Sequence, residues 1–250
     1  MPTKPRPLFL KFTSERSEEV SLAVDLEIPS RRRPKAIVLF MPGYTSVRNG
    51  EKAQAYREAA RDAGLAWLAF DPRGHGESSG SIRDLTLLRH VVDLGAAHTM
   101  ARSVAPTVIG VGSSLGGLTM AVFAASQQNA FSHITAIAPG FGFFERWSRV
   151  PKSRWPEGMT AAAIASARTA TTARIAPRVR TPMLVWHGMR DEAVDWRQSV
   201  RFAQRCPAFV EVRLFNDGDH RLTRWKQRLA VESIAQAVRL SGSDVTVIPE

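Results

Sequence analysis

Five short stretches of this chain, residues 36–41, 65–70, 108–111, 134–138 and 183–186, are apolar almost without a break. A strand with one wet face alternates apolar and polar residues. A strand covered on both faces reads as a continuous run, and parallel strands flanked by helices are covered on both faces. Longer segments with helical spacing separate these runs, at 51–63, 83–102 and 115–128, and further ones follow at 195–205 and 221–240. One more strand is expected at 209–215. Strand alternating with helix predicts an α/β fold with a mostly parallel sheet.

The beginning reads differently. Residues 8–12 and 20–28 form two candidate strands joined by a polar turn, and Val20, Leu22, Val24, Leu26 and Ile28 share one face of the second. That alternation predicts an antiparallel hairpin at the sheet edge, for eight strands in all. The 250 residues, 44% of them hydrophobic, suffice for a single domain over 1–250 with one large core. One interval breaks the rhythm. Residues 141–181 are aromatic first and then rich in Ala and Thr, and they follow the sixth strand. An insertion of this length predicts a short helical lid.

Several function classes are disfavoured. No stretch approaches the ~18 apolar residues of a membrane span. Cys206 is the only cysteine, so an intramolecular disulfide and a zinc–cysteine cluster are both out. The basic, proline-rich start has no apolar run of signal-peptide length, and a cytoplasmic location is expected. The net charge is +11, but the arginines are scattered singly apart from Arg31-Arg32-Arg33. No basic helix interleaves aromatics, so nucleic acid is not the expected partner and a solvated basic surface is.

Ligands of open α/β sheets bind beyond the carboxyl ends of the strands. After the run at 108–111 comes Gly112-Ser113-Ser114-Leu115-Gly116-Gly117, a G-x-S-x-G pattern centred on Ser114. A serine on a sharp strand-to-helix turn projects its hydroxyl into the cleft, and the positions two before and two after must be small. Ser113 fails that test, because Val111 sits two before it. A serine hydroxyl needs a base, and the base needs an orienting acid. Asp191 follows the run at 183–186, and His220 follows the strand at 209–215, in the order such turns require. Of the other histidines, His90 and His98 fall in a helical pattern and His133 precedes a strand. His75 lies upstream of the serine, and His187 ends a strand ahead of the acid. Asp217 and Asp219 are too close in sequence to His220 to reach around its ring. Two backbone amides must hold the oxyanion: Leu115, after the nucleophile, and Tyr44, in the loop after the first apolar run. Chemistry of this kind calls for no metal and no organic cofactor.

These segments together resemble the α/β-hydrolase superfamily. Asp71-Pro72-Arg73-Gly74-His75-Gly76-Glu77-Ser78 is similar to its D-x-R-G-x-G-x-S loop, and His187-Gly188-x-x-Asp191 to its acid loop. Within the superfamily, Pro42-Gly43-Tyr44, Asn49-Gly50, Trp196 and Asp219-His220-Arg221 are similar to mitochondrial acyl-glucuronide esterases that also remove palmitoyl groups from proteins. The resemblance spans about 36–240 without the insertion, and Pro42 stands where many relatives carry histidine. It implies the α/β-hydrolase fold, with helices on both faces of the sheet. It also implies a serine carboxylesterase or thioesterase with a small-molecule ester or thioester substrate. Acyl transfer, peptide-bond hydrolysis and a non-catalytic binding module remain open beside it, as does the oligomeric state. Phe141, Phe143, Phe144 and Trp147 suit an acyl pocket, and equally suit docking of the lid. Residues 141–181 carry eight basic side chains against Glu145 and Glu157. That excess suits an anionic group such as a glucuronate or a coenzyme A phosphate, and equally a solvated face.

Overall fold

The computed structural model describes residues 7–14, 17–29, 34–206 and 210–240. The Arg31-Arg32-Arg33 run and Phe209, the expected start of the last strand, lie outside them, as do residues 1–6. Eight strands form one sheet: β1 (Leu8–Thr13), β2 (Glu19–Glu27), β3 (Ala36–Met41), β4 (Ala66–Phe70), β5 (Thr107–Ser113), β6 (His133–Ile137), β7 (Met183–Gly188) and β8 (Val210–Phe215). Their order is β1-β2-β4-β3-β5-β6-β7-β8. From β4 to β8 all neighbours run parallel, and β2 is antiparallel to both β1 and β4.

Alternation along each strand splits the core in two. Ile37, Leu39 and Met41 of β3 enter one apolar cluster, and Ala36, Val38 and Phe40 the other. The first cluster packs under α2 (Leu87–Val104) and α3 (Leu115–Ser126), the second under α1 (Glu51–Asp62) and α8 (Lys226–Leu240). Every residue of β3, β4, β6 and β7 is buried, as the unbroken apolar runs require. The chain leaves β3 for β4 on one side and returns to β5 on the other. The crevice beyond the carboxyl ends of β3 and β5 is therefore a topological switch point, where open sheets bind ligands.

Helix starts differ from the spacing-based expectation for local reasons. The segment at 83–102 breaks into a single turn, Ile82–Asp84, and then α2, because Thr86 caps α2 by accepting the Arg89 N–H at 3.2 Å. Leu222 has φ 50°, so the helix expected from 221 starts only at Lys226. Likewise α7 spans Arg197–Arg205 rather than starting at 195.

The interval after β6 holds α4 (Phe143–Ser148), α5 (Ala161–Ser166), α6 (Thr172–Ile175) and two short turns, Lys152–Arg154 and Ala176–Arg178, the latter continuing α6. It docks through Phe144, Ile164 and Ile175, all in the α2/α3-side cluster. Among the described residues, no helix is long and apolar enough to cross a membrane.

Candidate active site

Ser114 stands alone between the end of β5 and the start of α3, with φ 51° and ψ −115°. Such a conformation costs a non-glycine residue roughly 1–3 kcal/mol and persists only where the surroundings enforce it. Here they do. The Ser114 N–H donates to the Ile137 carbonyl at 2.8 Å, and its carbonyl accepts from Gly140 N–H at 2.9 Å and Leu118 N–H at 3.2 Å. A Cβ on Gly112 would sit 2.6 Å from the carbonyl of Gly116, and one on Gly116 would run into the carbonyl oxygens of Met41 and Pro42. The small residues of the motif are thus a steric necessity. The first N–H groups of α3, from Leu115 on, lack intrahelical acceptors and give the turn a positive end.

The loops after β7 and β8 deliver the two other expected residues to this turn. His220 Nε2 lies 3.1 Å from Ser114 Oγ, and His220 Nδ1 lies 2.7 Å from Asp191 Oδ2. With a carboxylate on Nδ1, that nitrogen carries the proton and Nε2 is free to accept one. The Asp191 side chain is fully buried, while that of His220 is 28% exposed. Lys52 Nζ, on α1, donates to the Arg221 carbonyl at 3.0 Å and ties the His220 loop to the helix layer. Burial lowers its pKa to about 8.

Asp191 is held from four directions. Its Oδ1 accepts from the N–H groups of Ala193 at 2.9 Å and Val194 at 2.8 Å. Its Oδ2 is shared between His220 and His187 Nε2, the latter at 3.0 Å. His187 is wholly buried, and its Nδ1 lies 2.8 Å from Ser199 Oγ. The other partner of Nε2 is the Val194 carbonyl at 3.3 Å, also an acceptor, so Nε2 carries the proton and the Ser199 hydroxyl donates to Nδ1. Burial would raise the Asp191 carboxyl, but the hydrogen bonds from His187 and His220 outweigh it and hold the group well below the usual carboxylate range. Sequence reading weighed His187 only as a rival base. The acid-loop pattern includes both His187 and Asp191, but the contacts of His187 with Val194 and Ser199, from a loop and a helix, follow no spacing rule.

The Pro42-Gly43-Tyr44 loop presses on Ser114: a Cβ on Gly43 would lie 2.9 Å from Ser114 Cβ. The next amide, Thr45 N–H, donates to His75 Nε2 at 3.3 Å, with His75 Nδ1 on the Arg73 carbonyl at 3.3 Å. Burial lowers the pKa of His75, which favours the neutral ring that can accept from Thr45. Among the described residues the Tyr44 N–H has no acceptor. The Tyr44 hydroxyl donates to the Glu157 carbonyl in the insertion, and burial followed by the Glu157 charge pushes its pKa up to about 12.

The four aromatics divide. Phe141 is buried and stacked on Phe202 of α7, with centroids 4.1 Å apart, and Phe144 is buried in the core. Phe143 and Trp147 are half-buried, and the Phe143 ring lies 6.1 Å from that of Tyr44. The D-x-R-G-x-G-x-S loop is a buried ionic knot: Asp71 accepts from the backbone and side chain of Arg48, which also meets Asp25 at 3.0 Å, while Arg73 Nε meets Asp93 at 2.8 Å. Arg48 and Asp93 were not legible as partners, since they lie on other segments. Among the described residues, no three His, Cys, Asp or Glu side chains gather as metal ligands.

A strained serine between a buried parallel strand and a helix, on an eight-stranded sheet of this order, defines the α/β hydrolases. The model of the alpha/beta hydrolase family matches residues 38–249, and the chain belongs to that family. It is 30% identical over 207 residues, covering 74% of this chain and 67% of the relative, to the mitochondrial palmitoyl-protein thioesterase ABHD10 of Bos taurus. Among solved structures, the mouse alpha/beta hydrolase domain-containing protein 10 superimposes with a TM-score of 0.75 at 27% identity, covering 92% of this chain and 98% of that one. A protein of Agrobacterium vitis S4 reaches a TM-score of 0.81 at 22% identity over 94% and 100% of the two chains, a likeness of fold.

Proposed function

We propose that this chain, an ester or thioester hydrolase by its relatives, works through an acyl-enzyme on Ser114. The observation that carries the proposal is the continuous line Ser114 Oγ–His220 Nε2, 3.1 Å, and His220 Nδ1–Asp191 Oδ2, 2.7 Å. Ser114 Oγ attacks the acyl carbonyl carbon while His220 Nε2 takes its proton. The carbonyl π electrons move onto oxygen, and the N–H groups of Leu115 and Tyr44 receive that charge. When the carbon–oxygen or carbon–sulfur bond breaks, His220 returns the proton to the departing alkoxide or thiolate. Water then attacks the acyl-enzyme, gives its proton to His220, and the acid leaves as Ser114 Oγ is reprotonated. Asp191 fixes the His220 tautomer and stabilises the imidazolium.

Each step is carried by side chains and amides of this chain. Residues 141–181 act as a lid on a single domain, with Phe143 and Trp147 on the acyl side. The relatives named palmitoyl-protein thioesterase make an acyl thioester the substrate class to test first, with the chain placed in the cytoplasm. Ser114→Ala is expected to abolish hydrolysis of p-nitrophenyl esters and acyl thioesters, and to lose labelling by a fluorophosphonate probe. Turnover near the wild-type rate in that variant would overturn the proposal.

A further inference from the structure

A cleft of about 700 Å³ opens between the inserted helices and α7. Arg146 of α4 and Arg149, just past its end, line one side, and Arg201 and Arg205 of α7 the other, against the two acids Glu145 and Asp195. Thr171, Thr172 and Gln198 add neutral donors. One acid is already engaged, since Asp195 pairs with Arg197 at 3.3 Å. Arg146 donates to the carbonyls of Glu192 at 2.7 Å and Ala193 at 2.8 Å, and Arg205 to that of Arg201 at 3.1 Å. Among the described residues, the side chains of Arg149 and Arg201 have no partner.

Backbone hydrogen bonds link the wall of the cleft to Ser114 and Asp191. Phe141, in its wall, follows Gly140, whose N–H holds the Ser114 carbonyl. Val194, also in its wall, donates its N–H to Asp191. Four guanidinium groups around a concave surface repel one another, and a bound anion removes that repulsion. Guanidinium forks fit phosphate oxygens two at a time. The volume falls within the roughly 300–1,000 Å³ of sites that enclose a whole small molecule, well beyond one carboxylate.

We propose that this cleft binds the phosphates of the thiol half of an acyl thioester, a phosphopantetheine arm with or without its nucleotide. It rests on the acyl-enzyme reaction at Ser114 and names what leaves in its first half. Two sources share that chemistry: free coenzyme A, with three phosphates and a nucleoside, and an arm that ends in a single phosphate.

The test measures kcat/KM for one acyl group, butanoyl, on three thiols: coenzyme A, 4′-phosphopantetheine and N-acetylcysteamine, which has no phosphate. At low salt the coenzyme A thioester is expected to exceed the N-acetylcysteamine thioester by about tenfold or more, and the ratio should fall as salt rises. The double variant Arg149→Ala/Arg201→Ala is expected to cut the ratio about tenfold. Because the readout is a ratio, a poorly folded variant lowers both rates and leaves it unchanged. Arg102→Ala/Arg180→Ala, which removes the same charge from a different pocket, should not move it and so controls for the general field of the +11 chain. Phosphopantetheine matching coenzyme A assigns the cleft to the single arm phosphate; coenzyme A ahead of it assigns the nucleotide. Equal rates on coenzyme A and N-acetylcysteamine, a ratio indifferent to Arg149 and Arg201, or turnover of p-nitrophenyl butanoate with no thioester cleaved overturns the cleft while leaving the nucleophile standing. Survival of all activities in Ser114→Ala overturns the acyl-enzyme instead.

Discussion

His187 Nε2 donates to Asp191 through Oδ2, the same carboxylate oxygen that meets His220. One oxygen therefore serves two imidazoles, one wholly buried and one partly exposed. His187 draws on the Asp191 charge and fixes where the carboxylate points. In His187→Ala, Asp191 loses a donor of a kind worth about 1.5 kcal/mol or more, and kcat/KM is expected to fall about tenfold. The loss should fall on kcat rather than KM, because Asp191 then holds the imidazole less firmly in line with Ser114 Oγ. Steady-state kinetics on active-site-titrated enzyme check this: a lower titre with kcat per site unchanged would mark a merely structural loss.

Asp191 itself links activity to acid stability. Its carboxyl is held below the usual range by hydrogen bonds from His187 and His220 that outweigh burial. The unfolded chain, with an ordinary aspartate near pKa ~3.9, binds the proton more readily. Stability from this group is therefore fully present above about pH 4 and is lost as pH falls toward the folded-state value. Urea unfolding should show Asp191→Asn less stable than wild type at pH 7, with the gap closing as pH drops below about 4. At neutral pH the same variant is expected to lose about a thousandfold or more in kcat, because an amide can hold the wrong imidazole tautomer.

What could be read in the sequence divides along a physical line. Strands buried on both faces announce themselves locally, and all five apolar runs became strands of the central sheet. The turn around Ser114 is local too, since its constraints act within a few residues. Asp191 and His220 were legible only because chain order follows strand order in this fold. The rest depends on contacts between distant segments. Arg48 meets Asp25, Asp71 and Glu77 from a loop with no motif of its own. Arg201 and Arg205 sit on an ordinary amphipathic helix, and only the folded insertion makes them one wall of a cleft. The inserted helices span four to six residues each, too few turns for a period to show.

Two glycines, Gly112 near the end of β5 and Gly95 inside α2, should respond to alanine in opposite directions. At Gly112 the new Cβ would lie 2.6 Å from the Gly116 carbonyl, backbone that cannot yield without moving the Ser114 turn. Overpacking of this kind costs roughly 1–3 kcal/mol, or several degrees of Tm in a chain of this size. Gly112→Ala is expected to lower Tm and to lose most esterase activity. At Gly95, inside α2, the nearest atom to a new Cβ is Phe123 Cε2 at 3.5 Å, ordinary contact. Gly95→Ala should raise stability by up to about 1 kcal/mol through helix propensity alone. Thermal melts of the two variants side by side check both signs.

Tyr44 offers a last separation, between its amide and its ring. The amide, next to Gly43 against Ser114, is the oxyanion donor in the proposed reaction, and replacing the side chain leaves it in place. The hydroxyl instead donates to the Glu157 carbonyl and ties the insertion down beside Phe143. Tyr44→Phe removes only that tie and leaves the Glu157 carbonyl to water. With the insertion as the proposed lid, untying it weakens substrate capture more than the chemical step, so KM should rise about three- to tenfold, as expected for a hydrogen bond worth roughly 1 kcal/mol, while kcat stays within about twofold. The effect should grow with acyl chain length, because a longer chain relies more on the covered pocket. A fall in kcat with KM unchanged would place the hydroxyl, and not only the amide, at the reacting carbonyl.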